Sequence, residues 1–151
     1  PEHQQLAKMV GMWKTTGKMW MDPSGPPMES QGAMEYTAAL DGRYFLGAYK
    51  GDYMGMSFEG RSVDGYDRYA KEYFSYWYDN MGTGVMGLRG TASADGKVIT
   101  MKGKAFDPMS MMDVEYKSVA TWVNDNTIKY EMFSLKGGKE TKVMELDYTR
   151  M

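Results

Sequence analysis

From about residue 12 to the C-terminus, apolar and polar positions alternate with period two, and glycine-rich segments interrupt the alternation at regular intervals. This is the signature of strands joined by hairpins. It predicts ten strands, near 12–21, 28–38, 43–50, 56–63, 69–79, 83–93, 97–106, 113–123, 127–135 and 140–150. Only Pro1–Val10 reads as helix, with Leu6, Met9 and Val10 on one face, proline at the start and Gly11 as the stop. Strands do not alternate with helices, so a parallel sheet is disfavoured. Short connections favour an up-and-down antiparallel meander, and closing it into a barrel removes the exposed edges. The expected fold is therefore an all-β, ten-stranded antiparallel barrel, a single domain over 1–151, with the short helix closing one end.

Charges set the facing. Lys129 and Glu131 point to water, so Ile128, Tyr130, Met132 and Ser134 point inward. The same argument turns Tyr116, Ser118, Ala120, Trp122, Ile99, Met101, Gly103, Met144, Leu146 and Tyr148 inward, with Met19, Met21, Met34 and Tyr36. Strands 43–50 and 69–79 are apolar on both faces, and their facing stays open. The interior so inferred is lined by methionine, tyrosine and small residues, which leaves room for a cavity.

In a meander, alternate connections share one end of the barrel, and here the ends differ. One end carries the tight-turn sequences Asp41-Gly42, Asp64-Gly65, Asp95-Gly96 and Asn124-Asp125-Asn126. The other carries the longer loops 22–28, 51–56, 79–84, 107–112 and 135–140. Those loops hold Met28, Met54, Met56, Met81, Met109, Met111 and Met112 of the chain's 17 methionines. Binding residues concentrate on loops of a rigid scaffold, so this rim is the expected entrance.

Composition removes much chemistry. Lys and Arg number 18 against 20 Asp and Glu, so bulk electrostatics recruits neither nucleic acid nor an anionic membrane. There is no cysteine, which excludes disulfides, thiolate metal sites and cysteine nucleophiles. The one histidine, His3, lies at the N-terminus, which argues against hydrolytic triads, histidine-ligated haem and the usual zinc sites. No apolar run approaches the roughly 20 residues of a membrane span. GTGVMG (82–87) matches the dinucleotide fingerprint, but the next residues read as strand, turn and strand rather than a helix that could receive phosphate. The Met-x-Met pairs 19/21, 54/56 and 109/111 suit Cu(I), whose preference is for thioethers.

GKMWMDPSGPPMES (17–30), LDGRYFLGAYKGDYMGMSFEG (40–60), GYD (65–67), WYDNMGTG (77–84) and FDPM (106–109) together resemble the bacterial domain of unknown function 1579 family. The resemblance runs over nearly the whole chain and implies a calycin-like, lipocalin-like barrel; it implies no activity. Its recurrent positions correspond here to residues that include Trp13, Glu29, Gly42, Arg43, Gly60, Trp77, Asp79 and Asn80.

The expected function is non-catalytic binding of a small, largely apolar molecule in the barrel, with no cofactor and no metal. Met101, Tyr116 and Met132 form the expected apolar wall, while Arg43, Trp77 and Asp79 orient a polar head near the mouth. Two alternatives stand beside it: a soft-metal, Cu(I), site at the methionine rim, and an enzyme using Asp79 or Glu29 as acid or base. A structural reading of Asp79-Asn80, as a turn built by side-chain–backbone hydrogen bonds, competes with any role in binding. Residues 1–151 carry no recognisable leader, so a cytoplasmic site and a periplasmic one reached by a removed signal both stay open.

Overall fold

A computed structural model describes residues 1–151. The chain forms a helix, α1 (Glu2–Ala7), and ten strands: β1 (Gly11–Met19), β2 (Met28–Ala39), β3 (Tyr44–Tyr53), β4 (Met56–Asp67), β5 (Glu72–Asp79), β6 (Met86–Ala92), β7 (Val98–Asp107), β8 (Met112–Asn124), β9 (Thr127–Lys136) and β10 (Lys139–Arg150). Each strand pairs antiparallel with its neighbours in sequence, and β1 pairs with β10 to close the barrel. No edge is left unpaired.

All inward positions named from the charge pattern between residues 99 and 148 fall on the interior side, and the two ambiguous strands resolve. Phe45 and Tyr49 on β3 and Tyr73 on β5 are buried inside, while Tyr44, Leu46, Tyr76 and Tyr78 are exposed on the outer wall. The loop ends also come out as the meander requires, with one correction. Asp64-Gly65 is no turn. It lies within β4, where Gly65 pairs with Phe74 and Asp64 with Ser75. The reversal falls at 68–71 instead, where the Asp67 carboxylate accepts the amides of Tyr69 and Ala70 and Lys71 takes a positive φ of 56°. The Phe74 ring occupies the space a side chain at residue 65 would need, which accounts for a glycine inside a strand. Gly42 and Gly96 do sit in hairpin turns at φ 76° and 73°.

Two buried clusters lie inside the barrel. One gathers Leu6 of α1 with Phe45, Tyr73, Leu88, Ile99 and Met101. The other gathers Trp13, Met34, Tyr49, Trp122, Ile128 and Tyr148. The helix is shorter than its sequence pattern suggested, and Val10 is exposed rather than packed beside Leu6. A floor of interlocking contacts lies behind it. Trp13 Nε1 donates to the Met9 carbonyl at 2.7 Å, and the Arg150 guanidinium covers the Trp13 ring 4.2 Å from its centroid. Arg150 also donates to the carbonyls of Lys8, Val10 and Asp125, tying both termini and the β8–β9 turn together.

Candidate functional site

The polar groups that alternation turns inward converge above this floor. Asp64 accepts a 2.7 Å hydrogen bond from the Ser62 hydroxyl, and Ser75 stands opposite it on β5. Burial raises the Asp64 carboxyl above its ordinary value, with the two serines opposing that rise in part. Three tyrosines face it from β2, β9 and β10. Tyr36 and Tyr148 influence each other, and both phenols are pushed far up, mainly by burial. Tyr130 is pushed up to about 12, again mainly by burial. Asp64 adds to each shift through its charge, and Tyr36 packs beside Ser62 over Gly47, where a Cβ would meet both.

Nearer the rim the lining turns aromatic. Phe58 stacks on Trp77 with centroids 6.4 Å apart, and Tyr49 packs edge-on against both. Trp77 lies across β4 at Gly60, where a Cβ would collide with the indole, so the ring's position depends on that glycine. Trp77 Nε1 donates to Asp79 Oδ2 at 2.7 Å, and the Met81 amide donates to Oδ1 at 2.9 Å. Both Asp79 oxygens are therefore engaged in holding the indole and the β5–β6 turn. Asn80 locks the adjacent strand: its Oδ1 accepts from the Glu59 amide and its Nδ2 donates to the Ser57 carbonyl. Asp79 and Asn80 build a turn, as their residue types suggested.

A family model described as Protein of unknown function (DUF1579) matches residues 1–150. The chain belongs to this family. Among solved structures it is similar to the crystal structure of Rv2717c from M. tuberculosis, at 14% identity and a TM-score of 0.72, covering 100% of this chain and 98% of that one. At that identity the likeness speaks for the fold alone. No curated protein matches the chain in sequence. No helix is long and apolar enough to cross a membrane.

Within this DUF1579 barrel the six residues expected to form the site do not all meet. Trp77 and Asp79 lie together at the rim end, Met101 is buried in the cluster under α1, and Met132 packs against that cluster. Tyr116 faces inward and is part-buried, its phenol raised by burial and by the charge of Asp107. Arg43 belongs to the opposite end. It sits in the β2–β3 turn with its side chain 62% exposed, donating to the Leu40 carbonyl and pairing with Asp41. The tight Leu40–Gly42 turn directs it outward, so it cannot orient anything at the mouth. Glu29 is exposed on the outside of β2 opposite Lys18. The glycines of GTGVMG lead into β6, with no helix behind them.

Sequence reasoning missed Asp64, because Asp-Gly is a strong turn signal. The corrective signal was the alternation Phe58, Gly60, Ser62, Asp64, Tyr66, which continues unbroken through the pair. Two depressions also mark the outside of the barrel. One of about 690 Å³ lies at the tight-turn end between His3, Arg43, Tyr66, Arg68 and Phe74, and one of about 480 Å³ lies on the outer wall between Tyr44, Val63, Tyr76 and Arg89.

Proposed function

We propose that this protein binds a small, largely apolar molecule inside the barrel without transforming it, and that the molecule enters past the methionine-bearing rim. The observation that carries the reading is that side chains enclosed by the wall are not packed solid. Tyr36, Asp64, Ser75, Ala120, Tyr130 and Met132 all point inward between paired strands yet keep accessible surface, while Thr15, Trp13 and Ser118 on the same wall keep none. We read that difference as open space along the barrel axis. It is bordered by methionine and aromatic rings with a few placed hydroxyls and one carboxyl, the usual make-up of a ligand pocket. Met132 and Met144 add flexible walls that adapt to varied apolar shapes.

The non-catalytic half of the reading rests on the site's chemistry. Asp64 holds serine hydroxyls, but no imidazole or amine stands beside them to relay a proton, and Asp79 is already bonded on both oxygens. Native mass spectrometry of freshly purified protein tests the reading. A co-purified organic adduct at one per chain, or one-to-one uptake of a neutral apolar dye by bare protein, is the expected result. Bare protein that takes up no dye contradicts it.

A further inference from the structure

The lumen has an unusual balance of charge for a space that would hold apolar ligands. From the alternation and register of the ten strands, no Lys, Arg or His points into it between the floor and the rim. Arg150 lies in the floor, committed to Trp13 and three carbonyls. Lys136 lies at the rim, 3.5 Å from Asp107, with its side chain more than half exposed. Arg43, the expected partner of a polar head, points away from the barrel at its other end. The deep polar groups are instead one carboxyl and a set of hydroxyls: Asp64, Ser62, Ser75, Tyr36, Tyr130 and Tyr148.

A ligand carboxylate would meet Asp64 there with no counter-charge, in a medium where unpaired charge is costly. An ammonium group meets the opposite situation. Asp64 gives it a carboxylate already held by the Ser62 hydroxyl, and the tyrosine hydroxyl oxygens around it can accept from an ammonium as well. Asp64 has no cationic partner within the protein, and burial raises its carboxyl. A bound ammonium supplies the missing charge. We propose that the molecule held in the lumen is an organic amine, with an apolar body toward the rim and its ammonium on Asp64 among Tyr36, Tyr130 and Tyr148. This rests on the lumen-binding reading above and names the class of ligand.

The test is a competition in which octylamine, octanol and octanoate displace a neutral apolar dye such as Nile red from the intact chain. Octylamine is expected to compete roughly tenfold or more better than octanol, the size of one hydrogen bond to a charged group, and octanoate worst of the three. In Asp64→Asn the advantage of octylamine over octanol is expected to vanish while octanol itself is unchanged. Equal displacement by all three, or octanoate matching octylamine, overturns the amine assignment and leaves lumen binding standing. So does an octylamine advantage that survives Asp64→Asn. A dye that never binds removes the lumen reading and this proposal together. The ranking on the unaltered protein decides the matter even if Asp64→Asn does not fold.

Discussion

The two ends of this barrel are built on different principles. At the tight-turn end, side chains bond across the barrel from one segment to another: Trp13 to Met9, Arg150 to Lys8, Val10 and Asp125, and Leu6 into the cluster beneath α1. At the rim, most bonds stay within one loop. Asp22, Asp79 and Asp107 each accept the amide two residues on, shaping their own turns. The methionines between those turns are exposed, Met109 at 79% and Met54 at 67%. The tight-turn end is braced across the chain termini through Arg150 and α1; at the rim the links between segments are fewer and peripheral, from Asn80 to Glu59 and Ser57 and from Lys136 to Asp107. Local stability in proteins follows cross-bracing of this kind, and mobile entrances are drawn from the less connected parts.

The contrast depends most heavily on the floor. Trp13→Ala removes the one large side chain with no exposed surface that also carries the Arg150 guanidinium and the bond to Met9. A loss of about 3–5 kcal/mol is expected, measured by denaturant unfolding. A loss below 1 kcal/mol, roughly that of an ordinary surface change, would mean that the floor is not cross-braced. Gly42→Ala is the next largest. A Cβ there has open space, but φ is 76°, so the cost is backbone strain of about 1–2 kcal/mol, with dye affinity unchanged. A change in affinity at constant stability would tie the tight-turn end to binding.

Asp64→Asn probes the barrel interior between the two ends. Burial raises the Asp64 carboxyl, so the native chain holds that proton more firmly than the unfolded one. The stability this contributes is complete below the unfolded-state pKa and is lost as pH rises through the higher folded value. Where pH exceeds that folded value, the ionised carboxylate therefore weakens the barrel. Asp64→Asn is expected to melt a few degrees above the unaltered protein there, about 2–4 °C for each kcal/mol, with the gap closing below about pH 4. A variant that melts lower in that range would show Asp64 to be paired by a group other than Ser62 and Ser75. The smallest effect belongs to the rim. Met→Leu at Met54, Met56, Met109 and Met111 is expected to change stability by no more than about 0.5 kcal/mol in all, since these side chains are exposed. The same change distinguishes the soft-metal alternative: a tight stoichiometric Cu(I) site that it abolishes in a competition titration would favour metal over an organic ligand.

Much of the fold was legible because strand facing is a two-state choice that charged residues settle. Lys129 and Glu131 decide β9, and each neighbour then inherits its register through a short turn. The strands without that marker stayed ambiguous. Tyr44 and Phe45, or Tyr76 and Trp77, are equally apolar, and only the closed barrel shows that the second of each pair is inside. The candidate site was less legible. Arg43 is expected near the mouth, whereas a turn of three consecutive positive-φ residues, Leu40 to Gly42, sends it to solvent. Asp64 was hidden by the glycine after it. That glycine answers to the Phe74 ring across the strand, a contact that sequence spacing does not reveal.

Whether space lies open along the barrel axis can be decided with one plug. Ser118, small and inward, is the wrong place, because it has no accessible surface and its unpartnered Oγ is already enclosed. Ala120, two residues on, keeps accessible surface on the inner wall opposite Tyr130. Thermal unfolding and dye titration of Ala120→Phe are therefore read together. The expected result is a barrel that melts close to the unaltered protein and no longer takes up the dye, because the ring fills space a ligand would occupy. A variant that loses about 1–3 kcal/mol or fails to fold, as overpacking of a solid core does, would show that there is no lumen to fill.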